Sequence, residues 1–285
     1  MKKGTNSGIW AMVAYRLRKW CTTPRMYILL LFMIFIEDLH LFEVRNFSIE
    51  SGVPVTIFSL PLMIVYPYFD MMFMFGILLL FGDAPFMERA QIYQITRAGR
   101  TRWAVAQIFY TFLASLMYCL MAVVLSIILL LPHITLENDW GKIYNTLAQT
   151  NMGSKIGMKF PISYHVILEY RPWEALGLMI LIGTLVAFFT GLLMFAGSIW
   201  FSKNVGIALA SYVPISVIGL ELSNGILWYF TPAAWMNLEV ISWQSNRVSP
   251  TIPRVILILT AGIVLLGILV VKRVQKMDIP VLQDV

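Results

Sequence analysis

Residues Asp83 to Trp103, DAPFMERAQIYQITRAGRTRW, form a polar stretch in a chain that is otherwise hydrophobic enough to lie in lipid. Asp83 can accept hydrogen bonds from the free N–H groups of a first helical turn, and Pro85 fits within that turn. Gly99 can adopt the left-handed conformation that ends a helix. The stretch therefore predicts one short helix, residues 83–99, held between two membrane spans. Four arginines lie in it: Arg89, Arg97, Arg100 and Arg102.

The composition on either side of this stretch indicates a membrane protein. Of the 285 residues, 59% are hydrophobic and only 13% are charged, and the mean hydropathy is +0.77. About a quarter of the residues in a soluble domain are charged. The net charge of +6 comes from residues that flank apolar stretches. This pattern favours anionic lipid headgroups over nucleic acid as the partner. We expect an all-α polytopic protein.

Six apolar stretches predict six spans within a single transmembrane domain, residues 1–285. A span needs about 20 apolar residues, so the first is short. The fourth and fifth are separated by only a few polar residues, which predicts a tight helical hairpin. The spans cover about residues 26–42, 61–82, 103–131, 174–201, 205–221 and 252–271.

Three further segments have patterns of their own. Residues 7–22 are amphipathic at helical spacing, which predicts an elbow helix in the membrane surface with its arginines on the polar side. The outer loop, residues 132–172, contains Trp140, Ile143, Tyr144 and Leu147 at helical spacing, which predicts a second surface-lying helix. Residues 222–250 are aromatic but broken by glycine and proline, which predicts a re-entrant outer segment.

The distribution of basic residues predicts the orientation. Of 21 Lys and Arg residues, 14 fall on the side of the two termini and six on the other, with Arg254 at a boundary. The positive-inside rule then places both termini, and the 83–99 helix, in the cytoplasm. We expect a multi-pass protein of the cell membrane.

Sequence motifs for catalysis are absent from the chain. There is no GxxxxGK[ST] phosphate loop, since Gly153, Gly157 and Lys159 have the wrong spacing, and no HExxH or GxSxG. Cys21 and Cys119 have no metal-ligand spacing and are not expected to form a disulfide. The chain is therefore not expected to be an enzyme or to hold a cofactor or metal.

Ionisable residues in spans are candidate contacts, because a charge at the bilayer centre costs about 2.5–3.5 kcal/mol on insertion scales. Asp70 is the deepest. It either contacts a substrate or ion in a translocation path or faces the bundle interior or a wet vestibule. Glu37 and Asp38 are expected near the outer interface, where they are more easily solvated, and Glu221 is similar.

Small residues recur four apart on the fourth and fifth spans, which permits close helix packing. The alternative interpretation is that these small residues form a flexible gate. The residues are Gly183, Ala187, Gly191, Gly206 and Ala210.

The order of these segments resembles the permeases of ATP-binding-cassette exporters of the type V fold. The resemblance rests on the elbow, the six spans with both ends inside, RAGRTRW (Arg97 to Trp103) between spans two and three, and YFTPAAW (Tyr229 to Trp235) between spans five and six. It covers nearly the whole chain in architecture. Its motifs are loose.

The resemblance implies that residues 83–99 are a coupling helix that docks on a separate ATPase subunit, which would carry ATP and Mg²⁺. The implied docking residues are Phe86, Glu88, Arg89, Ala90, Tyr93, Arg97 and Arg100. Positive-inside anchoring explains the arginines equally well. The broken outer segment would close the exit path, with Tyr229, Pro232 and Trp235 as an outer gate. A second permease half, identical or different, would complete the transporter.

The expected function is the permease subunit of an ATP-driven exporter, with an amphipathic peptide or lipidic compound as its substrate. One alternative is a membrane-embedded sensor or scaffold whose outer loop binds a ligand. Another is an ion-coupled secondary transporter, which would need Asp70 or Glu221 at the membrane centre.

Overall fold

The protein was analysed as a computed structural model that describes residues 5–84, 95–158, 160–221, 230–243 and 250–276. These residues are mostly helical, with one sheet of two short strands. The helices are α1 (Thr5–Lys19), α2 (Pro24–Ser51), α3 (Leu60–Met63), α4 (Pro67–Phe81), α5 (95–98), α6 (Arg100–Leu130), α7 (Gly141–Gln149), α8 (Met152–Lys155), α9 (Tyr164–Glu169), α10 (Pro172–Trp200), α11 (Lys203–Glu221) and α12 (Ile252–Lys276). The strands are β1 (Val55–Thr56) and β2 (Ile134–Thr135).

Three of these helices, α6, α10 and α12, are long and apolar enough to cross a membrane. The other three predicted spans are also helical, as α2, α4 and α11. Helices α4 and α11 are shorter apolar helices. Helix α2 is long, but it includes Glu37 and Asp38. The prediction of an all-α membrane protein agrees with three apolar helices, and the count of six spans stays a prediction.

Helix α2 extends beyond the predicted span. It continues past Phe42 to Ser51 and ends at Gly52, which has φ 66° and is followed by extended chain. The helix continues beyond the predicted span because Val44 and Ser48 extend its buried face. Glu37 is consequently in the middle of α2 and not near its end.

The predicted second span is broken into α3 and α4. Tyr66 lies between them in an extended conformation, with φ −78° and ψ 118°. A residue that precedes proline is pushed out of the helical region by the proline ring. Pro67 therefore starts a new helix.

Helix α10 is the centre of the bundle and packs against α4, α6, α11 and α12. The α10–α11 hairpin is close: a Cβ atom on Gly206 would lie 2.6 Å from the Met194 carbonyl oxygen and 2.7 Å from the Ser198 nitrogen. Only a glycine permits this approach of two helix backbones. The interpretation of the small residues as packing sites is confirmed at this position.

The loop end of the molecule consists of residues 52–66, 131–158, 160–171, 230–243 and 250–251, and hydrogen bonds connect its segments. Strands β1 and β2 pair in parallel, and the Thr56 hydroxyl donates to the Trp140 carbonyl at 3.2 Å. The Trp140 indole donates to the Tyr170 carbonyl at 3.0 Å. Trp140 and the apolar face of α7 are buried by protein, with at most 6% exposure. The predicted helix exists, but its apolar face packs on this chain and is not free to lie on a membrane.

Candidate functional site

The elbow helix α1 packs against α6 near Phe109 and Tyr110. The Trp20 indole donates to the Tyr110 hydroxyl at 3.1 Å, and the rings of Trp10 and Phe109 lie 5.8 Å apart. Arg16 is only 6% exposed and lies 6.0 Å from the centre of the Tyr110 ring. The amphipathic pattern had put Arg16 on the polar side. The correction follows from the aromatic ring, which gives the guanidinium a partner at the protein interface.

Helix α6 extends well past this contact. Arg25, at the start of α2, forms an ion pair with Asp83, just after α4, and both interact electrostatically with Tyr110. The ends of α2 and α4 therefore meet near Tyr110. Arg100 precedes Tyr110 by ten residues on the same helix, which corresponds to about 15 Å. The start of α6 therefore lies about 15 Å along the helix from this contact.

The first turn of α6 is joined to the end of α12. The Arg100 guanidinium donates to the Gln275 carbonyl at 3.2 Å, and the Gln275 amide donates to the Thr101 hydroxyl at 3.2 Å. A cationic group at the C-terminus of a helix satisfies a free carbonyl and complements the helix dipole. Arg100 therefore has a role within the chain. Arg97 and Arg102 are exposed.

The predicted coupling helix is described only at its ends. Phe86, Glu88, Arg89, Ala90 and Tyr93 lie outside the described residues. Residues 95–98 are helical, and the Gly99 N–H donates to the Ile95 carbonyl at 2.9 Å. Gly99 has φ 90° and ψ 152°, a region essentially restricted to glycine. The helical turn does end at Gly99, but in this extended conformation with positive φ and not in the left-handed helical one that was predicted.

The outer segment contains a short 3-10 helix, Ala233–Met236, which packs against α4, α10 and α11. Two of the predicted gate residues, Pro232 and Trp235, are buried there, and Tyr229 lies outside the described residues. The Asn237 amide donates to the Val65 carbonyl, at the break before α4, at 3.1 Å. We call residues 231–237 the outer plug.

Two carboxyl groups are buried in the bundle. Glu37 is 0% exposed and Asp70 is 2% exposed. Among the described residues, neither oxygen of Glu37 has a hydrogen-bond partner, and Oδ1 of Asp70 has none. The expectation that Glu37 is easily solvated was wrong, because α2 continues beyond it. Asp38 instead forms an ion pair with Arg45, with 3.6 Å between a carboxylate oxygen and a guanidinium nitrogen.

The Tyr118 hydroxyl is the point at which α6 contacts both α2 and α4, and it is not hydrogen-bonded to Glu37. It donates to the Phe73 carbonyl at 2.7 Å and is 3.0 Å from Sδ of Met33, one turn before Glu37. Glu37 interacts electrostatically with Tyr118. Helices α2, α4 and α6 therefore meet at this hydroxyl.

The loop end contains a cavity of about 310 Å³. Its lining is half apolar, with Leu147, Met158 and Phe160, and half neutral polar, with Thr150, Asn151 and Ser154. The ring of Phe160 also packs on His40, at 5.1 Å, which connects the cavity wall to α2.

Comparisons with known protein families, curated proteins and solved structures found no match to this chain. Within the described ranges, no group of three or more His, Cys, Asp or Glu residues is placed to hold a metal ion. Cys21 and Cys119 are free thiols.

Sequence reasoning missed the buried position of Glu37 and its neighbour Tyr118. A signal was present, because Met33, Glu37, His40 and Val44 recur at helical spacing and all four are buried. The signal was discounted because the charged residues Glu37 and Asp38 were taken to mark the end of a span.

Proposed function

We propose that this chain is the permease subunit of an ATP-driven exporter and that residues 83–99 dock on a separate ATPase subunit. The observation that supports this proposal most directly is the attachment of that segment to the helices at both of its ends. Its first residue, Asp83, is paired with Arg25 at the ends of α2 and α4, and its last leads directly into α6.

Attachment at both ends would allow the segment to transmit motion to the helices. A displacement of residues 95–99 passes directly into α6, and through the Arg100 contact with Gln275 into α12. At the other end of the segment, the ion pair between Asp83 and Arg25 would transmit the displacement to α2 and α4. A segment joined to four helices can move them together, whereas a free loop cannot.

The outer plug is the proposed gate at the opposite end. Pro232 and Trp235 are buried against α4, which the docking segment would move, and against α10 and α11, so a change in the spacing of α4 and α10 would release them. Asp70 is the proposed path contact. The substrate proposed is an amphipathic peptide or lipidic compound, and a second permease half would complete the path.

The test is co-purification of a tagged chain expressed from its native locus, followed by ATPase measurements. We expect an ATPase subunit to co-purify and to be lost or uncoupled when exposed Arg97 and Arg102 are both replaced by Glu. The matched control replaces exposed Lys142 and Lys155, at the loop end, by Glu. A tagged chain that never carries an ATPase would refute the proposal.

A sensor or scaffold is the second candidate, and the cavity at the loop end favours it. A volume of about 310 Å³ is at the lower end of the range of small-ligand sites. Under this alternative, Ser154→Trp would fill the cavity and abolish the response to an external ligand, and no ATPase would co-purify.

A further inference from the structure

We infer that the last turns of α12 form a binding site for an anionic phospholipid, whose phosphate is held by Lys272 and Arg273 and whose acyl chains lie on the apolar side chains that precede them. The site does not depend on the proposed transport function. Three observations support it: the outward face of α12, the contact of Arg273 with Trp200, and the free charge of both cations within the described ranges.

One outward face of α12 changes from apolar to basic along the helix. Leu265 is 59% exposed and Ile268 is 48% exposed. Lys272, also exposed, follows them by seven and four residues, and these spacings put all three side chains on one side of a helix. Val270 and Val274, on another side, are buried and attach these turns to the bundle. The apolar part of the face therefore lies within about 10 Å of an exposed cation.

The length of α12 brings this change in polarity to the surface of a bilayer. The helix is apolar enough to cross a membrane, and its 25 residues span about 38 Å. The hydrocarbon core of a bilayer is about 30 Å thick. The last turns therefore reach the headgroup region, where phosphate groups lie, while the exposed leucine and isoleucine side chains remain at the level of the acyl chains.

Arg273 is held in place by an aromatic ring. Its guanidinium carbon lies 5.4 Å from the centre of the Trp200 ring, at the end of α10, and Trp200 is 45% exposed. A guanidinium on an aromatic face keeps a fixed orientation, and its fork of N–H groups matches the geometry of a phosphate. Trp200 therefore acts as a positioning residue for Arg273.

The charge of the two cations is not neutralised by the described part of the chain. None of the ion pairs formed there includes Lys272 or Arg273, and Nε of Arg273 has no hydrogen-bond partner in the same ranges. The carbonyl groups at a helix C-terminus also attract cations. At this end of α12, the Gln275 carbonyl accepts from Arg100. Lys272 and Arg273 are therefore available to an external anion.

A phospholipid uses both parts of the face. A soluble anion such as inorganic phosphate would contact the two cations but not the apolar side chains beside them. A zwitterionic lipid would cover the apolar side chains, but its own positive group would oppose the cations. An anionic lipid supplies a negative headgroup and acyl chains in one molecule, so it is the ligand that this surface fits best.

Native mass spectrometry of the full-length chain in detergent tests the site, with phosphatidylglycerol and phosphatidylcholine of identical acyl chains as the probes. Replacing Lys272 and Arg273 together by Gln should weaken phosphatidylglycerol binding roughly 25-fold, because each basic group near an anionic surface contributes about fivefold. Phosphatidylcholine binding should change little. The matched control replaces Lys142 and Lys155, exposed at the loop end, by Gln. Equal losses in the two double variants would overturn the site.

A second pair of variants tests the apolar part without changing any charge. Ile268→Ser should weaken phosphatidylglycerol binding, whereas Ile258→Ser, ten residues earlier on α12 and 44% exposed, should not. Glycerol 3-phosphate, which has the phosphate but no acyl chains, should fail to displace the lipid. Equal effects of the two serine variants, or displacement by glycerol 3-phosphate, would show a site for soluble anions and overturn the lipid assignment.

Trp200→Leu tests the positioning of Arg273 and leaves both cations present. We expect phosphatidylglycerol binding to weaken a few-fold in the wild type and to change no further when Trp200→Leu is added to Arg273→Gln. Trp173→Leu, at the other end of α10 and 52% exposed, is the control. Additive effects of Trp200→Leu and Arg273→Gln would contradict the positioning role.

Discussion

Helices α10 and α12 have nearly the same hydropathy, with mean values of 2.4 and 2.8, yet they occupy different environments. The most apolar window of α10 is 72% buried inside the molecule and that of α12 only 17%. Hydropathy therefore predicts that both helices avoid water. It does not predict whether a helix is surrounded by lipid or by the rest of the protein. The environment of each helix depends on which other helices it meets.

Helix α10 contains glycines where other helices come close, and α12 presents large side chains outwards. On α12, Leu257 is 67% exposed and Leu265 is 59% exposed. A narrow stripe that includes Val255 and Leu259 attaches α12 to the bundle. In a medium as apolar as the side chains themselves, close packing is the main source of helix association.

The largest expected effect comes from filling the α10–α11 contact. Gly206→Leu places side-chain atoms against the α10 backbone, and we expect a loss of about 3 kcal/mol or more in the free energy of unfolding. The control is Gly177→Leu on α10, where a Cβ atom meets nothing within 4 Å. Thermal unfolding of the detergent-solubilised protein measures both variants. Equal stability would show that the hairpin is not tightly packed.

A smaller effect is expected from truncating one side chain on each helix. Phe195 of α10 is 0% exposed and its ring lies 6.0 Å from that of Trp103, so Phe195→Ala should cost about 3 kcal/mol. Leu265→Ala removes an exposed side chain of α12 and should cost less than about 0.5 kcal/mol. Similar losses for the two variants would remove the distinction between the helices.

Tyr170 connects the segment before α10 to the segment before α12. Its hydroxyl donates a hydrogen bond to the Ile241 carbonyl at 2.8 Å. Tyr170→Phe should cost about 1–2 kcal/mol, because it leaves a buried carbonyl unsatisfied. Tyr164→Phe, an exposed position in the same loop, is the control.

The hydrogen bond from Tyr170 to Ile241 should persist at neutral and mildly alkaline pH. Burial, together with the carboxylates of Glu169 and Glu174, raises the pKa of Tyr170. A raised folded-state pKa gives stability that is fully present below the unfolded pKa of tyrosine, about 10, and is lost as pH rises through the folded value. The difference between wild type and Tyr170→Phe should therefore stay constant from neutral pH to about pH 9. A difference that disappears in that range would contradict the assignment.

The smallest effect is expected where α12 ends. Arg100→Ala removes the bond to the Gln275 carbonyl and should cost about 0.5–1 kcal/mol, because this contact is exposed to solvent. Arg102→Ala should change stability less. Equal effects would mean that Arg100 does not hold the end of α12.

Much of the fold followed from the sequence, and much of the candidate site did not. Helices occur at all six predicted spans, at the elbow and in the outer loop, because hydropathy and helical spacing are local properties. The helix end at Gly99 is also local. The break before Pro67 has a local cause too, but it was not predicted, because Pro67 was placed inside one continuous span. By contrast, the course of α2 beyond Phe42, the burial of Arg16 and the contact of Arg100 with Gln275 depend on residues far along the chain.

The sequence by itself determined that this chain prefers an apolar environment and where most of its helices lie. Only the tertiary structure decided that α10 is enclosed while α12 is exposed. It also decided that, among the described residues, Asp38 has an ion-pair partner while the oxygens of Glu37 have no hydrogen-bond partner. Hydropathy and backbone preference act over a few residues, whereas burial and hydrogen bonding depend on which helices meet. Two helices of equal hydropathy can therefore have opposite environments.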